Sequence, residues 1–350
     1  MEHQPQIAVL ILGFNHREFL YDALASVVAQ TYTNFRISYI DNASSDRSVD
    51  LVRATYPEIT VRANTANTGY AGAYDSALRE VFQEGFDAAV LLNPDVVVAT
   101  DWLAELVRSA YQDDRIALAQ SKVLLWDKEL TSLINSFGNK IQYLGIGYCG
   151  HYKDSDGPEF ATDRDISAAS GAVLLVKGRY YPSIIALDRD FFAYYEDLDL
   201  SWQAHLMNLR VIVAARSVVW HKYDFRKRNL NNFKYYLSEK NRLTFLLKYF
   251  KLHTLLLILP SFLVMEMGII LDSFMKGYSR EKFRAYGYFL RHLRRTLRKR
   301  QLFQAKRVRS DAELVQYLDP VINFKEVDSP LLRIANAFHS AYFRIIKNFI

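Results

Sequence analysis

Over the first hundred residues, short continuous apolar runs alternate with stretches in which apolar residues recur every three to four positions. Ile7 to Leu12 reads as a buried strand; Leu20, Leu24, Val27 and Val28 then mark one face of a helix, and Phe35 to Ile40 is the next strand. A helix through Val49 to Ala54, a weaker strand at Ile59 to Arg62 and a helix with Ala73, Ala77, Leu78 and Val81 turned inward follow, and the strand Ala88 to Leu92 closes the set. Strands apolar throughout and alternating with helices predict an α/β fold with a mostly parallel sheet covered on both faces. Ligands of such sheets bind beyond the carboxyl ends of the strands, where Asp41, Asn67 and Asp95 fall. Pro94 ends the last strand by removing a ladder donor, so the Asp95 carboxylate can project into a cleft rather than a core.

From Trp102 to Arg108 the pattern predicts a helix, then strands in "IALAQSKVLLW" and "SGAVLLVKG", separated by a loop region over Gly138 to Asp156. Leu198, Trp202, Leu206 and Leu209 mark another helical face, and "VIVAARSVVWHK" reads as two short strands ending at His221. The last third changes character. Asn232 to Tyr249 is helical and mixed, and the stretch from Leu252 to Phe274 is apolar and long enough to cross a bilayer, but Pro260 and Glu266 interrupt it. Basic residues flank it on both sides, so the positive-inside rule predicts no clear crossing. The expectation is helices lying in the membrane interface, with a single span or a buried core helix left open. These shifts divide the chain into 1–100, 101–230 and 231–350, the last helical, apolar and basic and expected to associate with a membrane.

Composition narrows the classes. Half of the 350 residues are apolar and 23% are charged, which excludes wholesale disorder. The single cysteine, Cys149, forms no internal disulfide. The N-terminal apolar run is short and lacks a basic segment before it, so the expectation is a first strand in the cytosol rather than a signal peptide. Much of the net charge of +6 comes from Arg291 to Arg309, a run suited to anionic lipid, nucleic acid or plain solvation.

One edge of the predicted sheet would gather Asp41, Asp95, Asp197 and His221, with Glu196 alongside. Crowded carboxylates repel, and a divalent cation is the usual resolution. Carboxylates with one histidine suit Mn2+ or Mg2+, and few protein ligands leave positions for a diphosphate.

"ILGFN", "QTYTNFRISYIDNASSDRS", "NTGYAGAYDSAL", "LLNPDVVV", "SGAVLLVKGRYY", "FFAYYEDLDLSWQAHLMNLR" and "VVWHK" resemble, in this order, the family 2 glycosyltransferases of GT-A fold, in particular the rhamnosyltransferase-like branch. The resemblance covers roughly 7–250. It implies inverting transfer of a sugar from a nucleotide diphosphate donor, of the dTDP-rhamnose or UDP-sugar type, to a hydroxyl of a lipid-linked or cell-surface glycan. By the same resemblance, Asp41, with Asn42 beside it, is the base-binding aspartate; Asn67 and Gly69 form the turn that lets the backbone approach the nucleotide. Asp95 is the last acid of the Asp-x-Asp metal motif, in which Asn93 replaces the first, and His221 is the metal-binding histidine. Asp197 is the catalytic base, Glu196 an acceptor or supporting contact, Asp199 structural and Trp220 packing. Each position also admits a plainer role: an Asx-turn at Asp41, a helix entry at Gly69, a turn cap at Asp95, a helix cap at Asp197. Arg226 and Arg228 are candidates for the diphosphate or for a solvated basic loop. The expected setting is the cytoplasmic face of a membrane, with anionic lipid as a partner and nucleic acid not one. The alternatives are a non-catalytic sugar-nucleotide-binding subunit and, third, a basic nucleic-acid binder.

Overall fold

The structure, a computed structural model, describes residues 4–127, 129–222 and 231–350; Arg226 and Arg228 lie outside the described residues. In chain order the first strands and helices are β1 (Ile7–Gly13), α1 (Arg17–Val28), β2 (Phe35–Asp41), α2 (Ser48–Thr55), β3 (Thr60–Ala63), α3 (Gly69–Gln83) and β4 (Ala88–Leu92). Next come β5 (Val96–Val98), α4 (Trp102–Ala110), β6 (Ile116–Asp127), β7 (Glu129–Ser136), β8 (Asn139–Gln142) and β9 (Ile146–Cys149). β10 (Arg164–Asp165), β11 (Val173–Lys177), α5 (Glu196–Leu206) and β12 (Arg210–His221) complete this part. Then follow α6 (Asn232–Tyr249), α7 (Leu252–Met275), α8 (Ser279–Arg291), α9 (Leu293–Lys306), α10 (Asp311–Leu314), β13 (Leu318–Asp319) and α11 (Pro330–Ile346).

The chain divides into two compact units. One comprises Met1–Asn139, Cys149–Ala204 and Leu209–Tyr223; the other Lys140–Tyr148, His205–Asn208 and Asp224–Ile350. The first is built on a mixed, largely parallel sheet in the order β10-β12-β6-β11-β4-β1-β2-β3, with β5 on β12 and β7 on β6. Its centre is the parallel set β4-β1-β2-β3, as the alternating pattern predicts. β11 runs antiparallel between β4 and β6. Every residue of β1 and β4 is buried, which is why these strands carry unbroken apolar sequence instead of alternation.

Two expectations change. "VIVAARSVVWH" forms one strand, β12, whose register against β6 shifts between Ala214 and Val218. In the bulge Ser217 points its hydroxyl into the core but satisfies it there: Ser217 Oγ lies 2.9 Å from Ser121 Oγ and donates to the Trp102 carbonyl at 3.0 Å. The expected loop region over Gly138 to Asp156 contains β8 and β9, which form a small sheet with β13. Their partner, Leu318 opposite Ile141, lies far along the chain, so no local pattern announces the pairing.

The second unit is mainly helical. Pro260 does not break α7, which runs through it for 24 residues and is long and apolar enough to cross a membrane. Its inward residues are Thr254, Ile258, Ser261, Met265, Glu266 and Ser273. Glu266 is held among Arg242 of α6 and Lys282 and Tyr286 of α8, with Lys282 Nζ at 2.8 Å; Glu239 joins through Arg242 at 3.0 Å. Burial alone would raise the Glu266 carboxyl, but the two cations beside it hold it down at about 2.

Candidate active site

Asp41 is the last residue of β2, opposite Gly13 of β1, and it is 4% exposed. Its Oδ2 accepts the Ser44 N–H at 3.0 Å, which is the Asx-turn the local sequence also allows. Its Oδ1 is buried and accepts no hydrogen bond of ordinary geometry. The turn therefore occupies one oxygen and leaves the other as an acceptor in need of a donor.

Asn42, next in the chain, is spent on structure. Its amide oxygen accepts from Asn64 Nδ2 at 3.0 Å and Thr68 N–H at 3.1 Å, and its Nδ2 donates to Asn67 Oδ1 at 2.8 Å and the Gly69 carbonyl at 3.3 Å. Asn67 Oδ1 in turn accepts the Gly69 N–H at 2.9 Å. This network fixes the entry to α3. Gly69 itself has φ +73°, and a Cβ there would lie 2.3 Å from the Phe192 carbonyl oxygen. Only glycine meets both demands. The adjoining segment supplies Phe192, Tyr194 and Tyr195, all with positive φ, immediately before α5. It is pinned by the Ala71 N–H on the Phe192 carbonyl, at 3.0 Å, and by Arg189 on buried Asp75, at 2.6 Å.

Asp95 follows β4 after Asn93 and Pro94; the Asn93 N–H bonds the Ala172 carbonyl at 2.9 Å. β5 then pairs with β12 so that Val96 faces His221. This pairing brings His221 Nε2 to 3.3 Å from Asp95 Oδ1, both residues being buried. The other ring nitrogen, Nδ1, lies 3.1 Å from Asn135 Oδ1 on β7. With the amide oxygen toward it, Nδ1 is the donor of that contact, and Nε2 is the ring nitrogen turned toward the carboxylate. A carboxylate oxygen and an imidazole nitrogen are a donor set that fits Mn2+ or Mg2+. Among the described residues no group of three His, Cys, Asp or Glu could hold a metal, so the pair leaves most of the coordination to other ligands.

Asp197 is the second residue of α5 and is half-buried. Its Oδ2 accepts the Gly171 N–H at 2.9 Å and Asn139 Nδ2 at 3.4 Å, and its Oδ1 the Leu198 N–H at 2.9 Å. Burial pushes its carboxyl above the usual range against the downward pull of these N–H groups. The place in the first turn is the one expected, but burial outweighs the helix end. Gly171 is held from its other side by the Tyr70 hydroxyl on its carbonyl, at 2.6 Å. Glu196 is buried beside Asp197, and Asp199, fully buried, accepts from Gln203 at 2.7 Å. Trp220 donates to the Thr131 carbonyl at 3.1 Å.

The register brings these groups to one edge. Asp41 closes β2 opposite Gly13, and Asp95 follows the end of β4, the strand on the other side of β1. Ala172 joins Asn93, and Gly171 joins Asp197, so Asp197 is tied to the same edge. Sequence reasoning missed Asn135, Asn139, Tyr70 and Gly171. Tyr70 and Gly171 lie within the quoted "NTGYAGAYDSAL" and "SGAVLLVKGRYY", but Asn135, before the predicted loop, and Asn139, within it, carry no signal of their own.

Residues 8–146 match Glycosyl transferase family 2. That segment, two fifths of the chain, lies largely within the unit built on the GT-A sheet. The chain is 22% identical over 133 residues to an uncharacterized glycosyltransferase of Haemophilus influenzae, covering 37% of the chain and 40% of that protein. It is 22% identical over 223 residues to a poly-beta-1,6-N-acetyl-D-glucosamine synthase of Staphylococcus epidermidis, covering 63% and 51%. The chain thus spans about half the length, or less, of these curated relatives. Among solved structures, GalNAc-T7 with UDP, GalNAc and Mn2+ aligns with a TM-score of 0.53 at 15% identity, over 63% of this chain and 44% of that one. The mannosyltransferase PcManGT of Pyrobaculum calidifontis, in complex with GDP-Man and Mn2+, aligns with a TM-score of 0.50 at 14% identity, over 99% and 88%. These likenesses establish the fold.

Proposed function

We propose that the protein is an inverting glycosyltransferase that moves a sugar from a dTDP-rhamnose or UDP-sugar type of donor to a hydroxyl of a lipid-linked or cell-surface glycan. The observation that carries this reading is the half-buried, hydrogen-bonded Asp197 carboxylate on the same sheet edge as the Asp95–His221 pair. The rhamnosyltransferase-like branch rests on the motif resemblance. The poly-beta-1,6-N-acetyl-D-glucosamine synthase relative supports a polysaccharide product, and the apolar α7 supports a place at a membrane, for which we propose the cytoplasmic face.

Asp197 takes the proton of the acceptor hydroxyl as that oxygen bonds to the anomeric carbon. The bond from that carbon to the diphosphate oxygen breaks on the opposite face, and the nucleoside diphosphate leaves with the electron pair. A raised proton affinity makes Asp197 a better base than a solvated carboxylate. Asp95 and His221 would hold Mn2+ or Mg2+, which supplies charge neutralisation on the diphosphate. The unpartnered Asp41 Oδ1 would accept the imide N–H of uracil or thymine. Asn42, Asn67 and Gly69 act by shaping the loop that meets the nucleotide, with Asn93 presenting its side chain at the turn before Asp95. Glu196 flanks the acceptor side.

The test is calorimetric binding of thymidine, uridine and guanosine diphosphate sugars with and without Mn2+, followed by transfer assays on the best binder. Mn2+-dependent binding of a pyrimidine nucleotide is expected. Binding without any transfer to glycan acceptors would favour a sugar-nucleotide-binding subunit, and binding of DNA instead would overturn the reading.

A further inference from the structure

α7 is built inside out. Its buried side chains include Thr254, Ser261, Glu266 and Ser273, while Leu252, Leu256, Leu259, Leu263, Met267 and Leu271 are 43–66% exposed. These six recur at spacings of three and four, so they form one stripe along a helix about 36 Å long. A soluble helix has the reverse arrangement. α11 adds a second stripe, with Leu331, Ile334, Phe338 and Ile345 exposed, and Phe349 just beyond its end is exposed as well. The two helices lie side by side and run in opposite directions: Ser261 bonds His339 Nδ1 at 2.6 Å, Tyr342 donates to the Leu257 carbonyl at 2.8 Å, and His253 meets the Phe349 carbonyl at 2.7 Å. The apolar surface continues onto α8 through Phe283, whose ring lies 6.2 Å from that of Phe274.

The charge of the unit identifies what covers this surface. Residues 251–310 hold 14 lysines and arginines against three acids, a net charge of +11 in a chain whose total is +6. Arg284, Arg291, Arg294 and Arg298 are exposed on α8 and α9. An apolar face neighboured by cations matches anionic lipid, where each cation near the surface adds about 1 kcal/mol, whereas a second copy of the same basic surface would repel it.

The inward face also decides the orientation. Glu266 is locked to Arg242 and Lys282, so an α7 that crossed the bilayer would draw charged residues of α6 and α8 into hydrocarbon. We propose that α7 and α11 lie in the plane of an anionic membrane, apolar stripes in the acyl boundary and the cations of α8 and α9 on headgroups, so that the protein is monotopic. This deepens the membrane part of the proposed function and is independent of the transfer chemistry.

The experiment floats the full chain with phosphatidylcholine vesicles, with and without phosphatidylglycerol. Binding is expected to be at least tenfold stronger to the anionic vesicles and to fall with salt. Leu256→Asp with Leu263→Asp, at exposed positions, should cut binding at least tenfold to either vesicle with the circular dichroism unchanged. Arg291→Glu with Arg294→Glu should lower only the anionic preference. In a Cys149→Ser background, Lys251→Cys and Lys276→Cys flank α7, and a membrane-impermeant maleimide outside the vesicles should label both. Labelling of one end only means a span and overturns the proposal. So does an absence of vesicle binding, or a leucine-dependent dimer in sedimentation that replaces it. Asp197→Asn should bind vesicles normally, so lost docking with intact nucleotide binding sinks this inference alone, and the converse sinks only the proposed activity.

Discussion

At the scale of single residues, Asp197 couples stability to chemistry. Its carboxyl is raised by burial, so the protonated form is favoured in the folded state. Its contribution to stability is fully present below the ordinary carboxylate range and is lost as pH rises through the raised value. At neutral pH the ionised group is therefore a cost, and Asp197→Asn should raise the melting temperature while lowering kcat by about 10²–10⁴-fold. Calorimetry and a transfer assay on the same preparation check both halves; a variant that loses activity by melting earlier would contradict the role. Asn135 offers a second prediction. It orients His221 through Nδ1, so Asn135→Leu should weaken Mn2+ binding roughly 10–100-fold, read by Mn2+ electron paramagnetic resonance, with nucleotide binding in EDTA unchanged. Asp41 and His221 stand at the ends of apolar runs and Asp95 interrupts one, where a charge is conspicuous, whereas Asp197 stands out only through the motif resemblance. Asn135 was not, because an asparagine gains meaning only from the ring it faces across β7 and β12.

Among elements, legibility follows the range of the contacts. β1, β2, β4 and their intervening helices are fixed by local periodicity, and their order followed from the chain. The bulge in β12 did not, since "AARS" breaks the apolar run as a turn would. Only Ser121 and Trp102, distant in sequence, make it a continuous strand. The entry to α3 lies between these cases: the sequence marks a glycine, and the structure shows why no other residue fits. Gly69→Ala places a methyl group against the Phe192 carbonyl in a left-handed backbone, at a cost of at least 1–2 kcal/mol. Both partners border the site, the loop from Asn67 on one side and the segment leading to Asp197 on the other. Gly69→Ala should therefore lower nucleotide affinity as well as the melting temperature, by calorimetric titration and thermal unfolding. A loss of stability with unchanged affinity would separate this loop from the nucleotide.

For the whole molecule, charge is divided more sharply than the net value suggests, because the second unit concentrates cations outside and buries acids among them. Glu266 and Glu239 are held low by Arg242 and Lys282 despite burial. Their contribution to stability is thus present above the ordinary glutamate range near 4.5 and is lost as pH falls toward about 2. Protonating Glu266 removes on the order of 3 kcal/mol and leaves two buried cations facing each other. All four tryptophans, at 102, 126, 202 and 220, belong to the first unit, so their emission is a poor witness of this event. The helical signal is the better one. Acid titration followed by far-ultraviolet circular dichroism should show helix loss between about pH 4.5 and 2, and Glu266→Gln should flatten that window while already lowering stability at pH 7. The same acid window should detach the protein from vesicles, because a second unit that loses this lock no longer holds the α7 stripe outward. Detachment at a pH where the helical signal is intact would mean that the lipid contact depends on headgroup charge alone, and that the buried cluster does not set the orientation of α7.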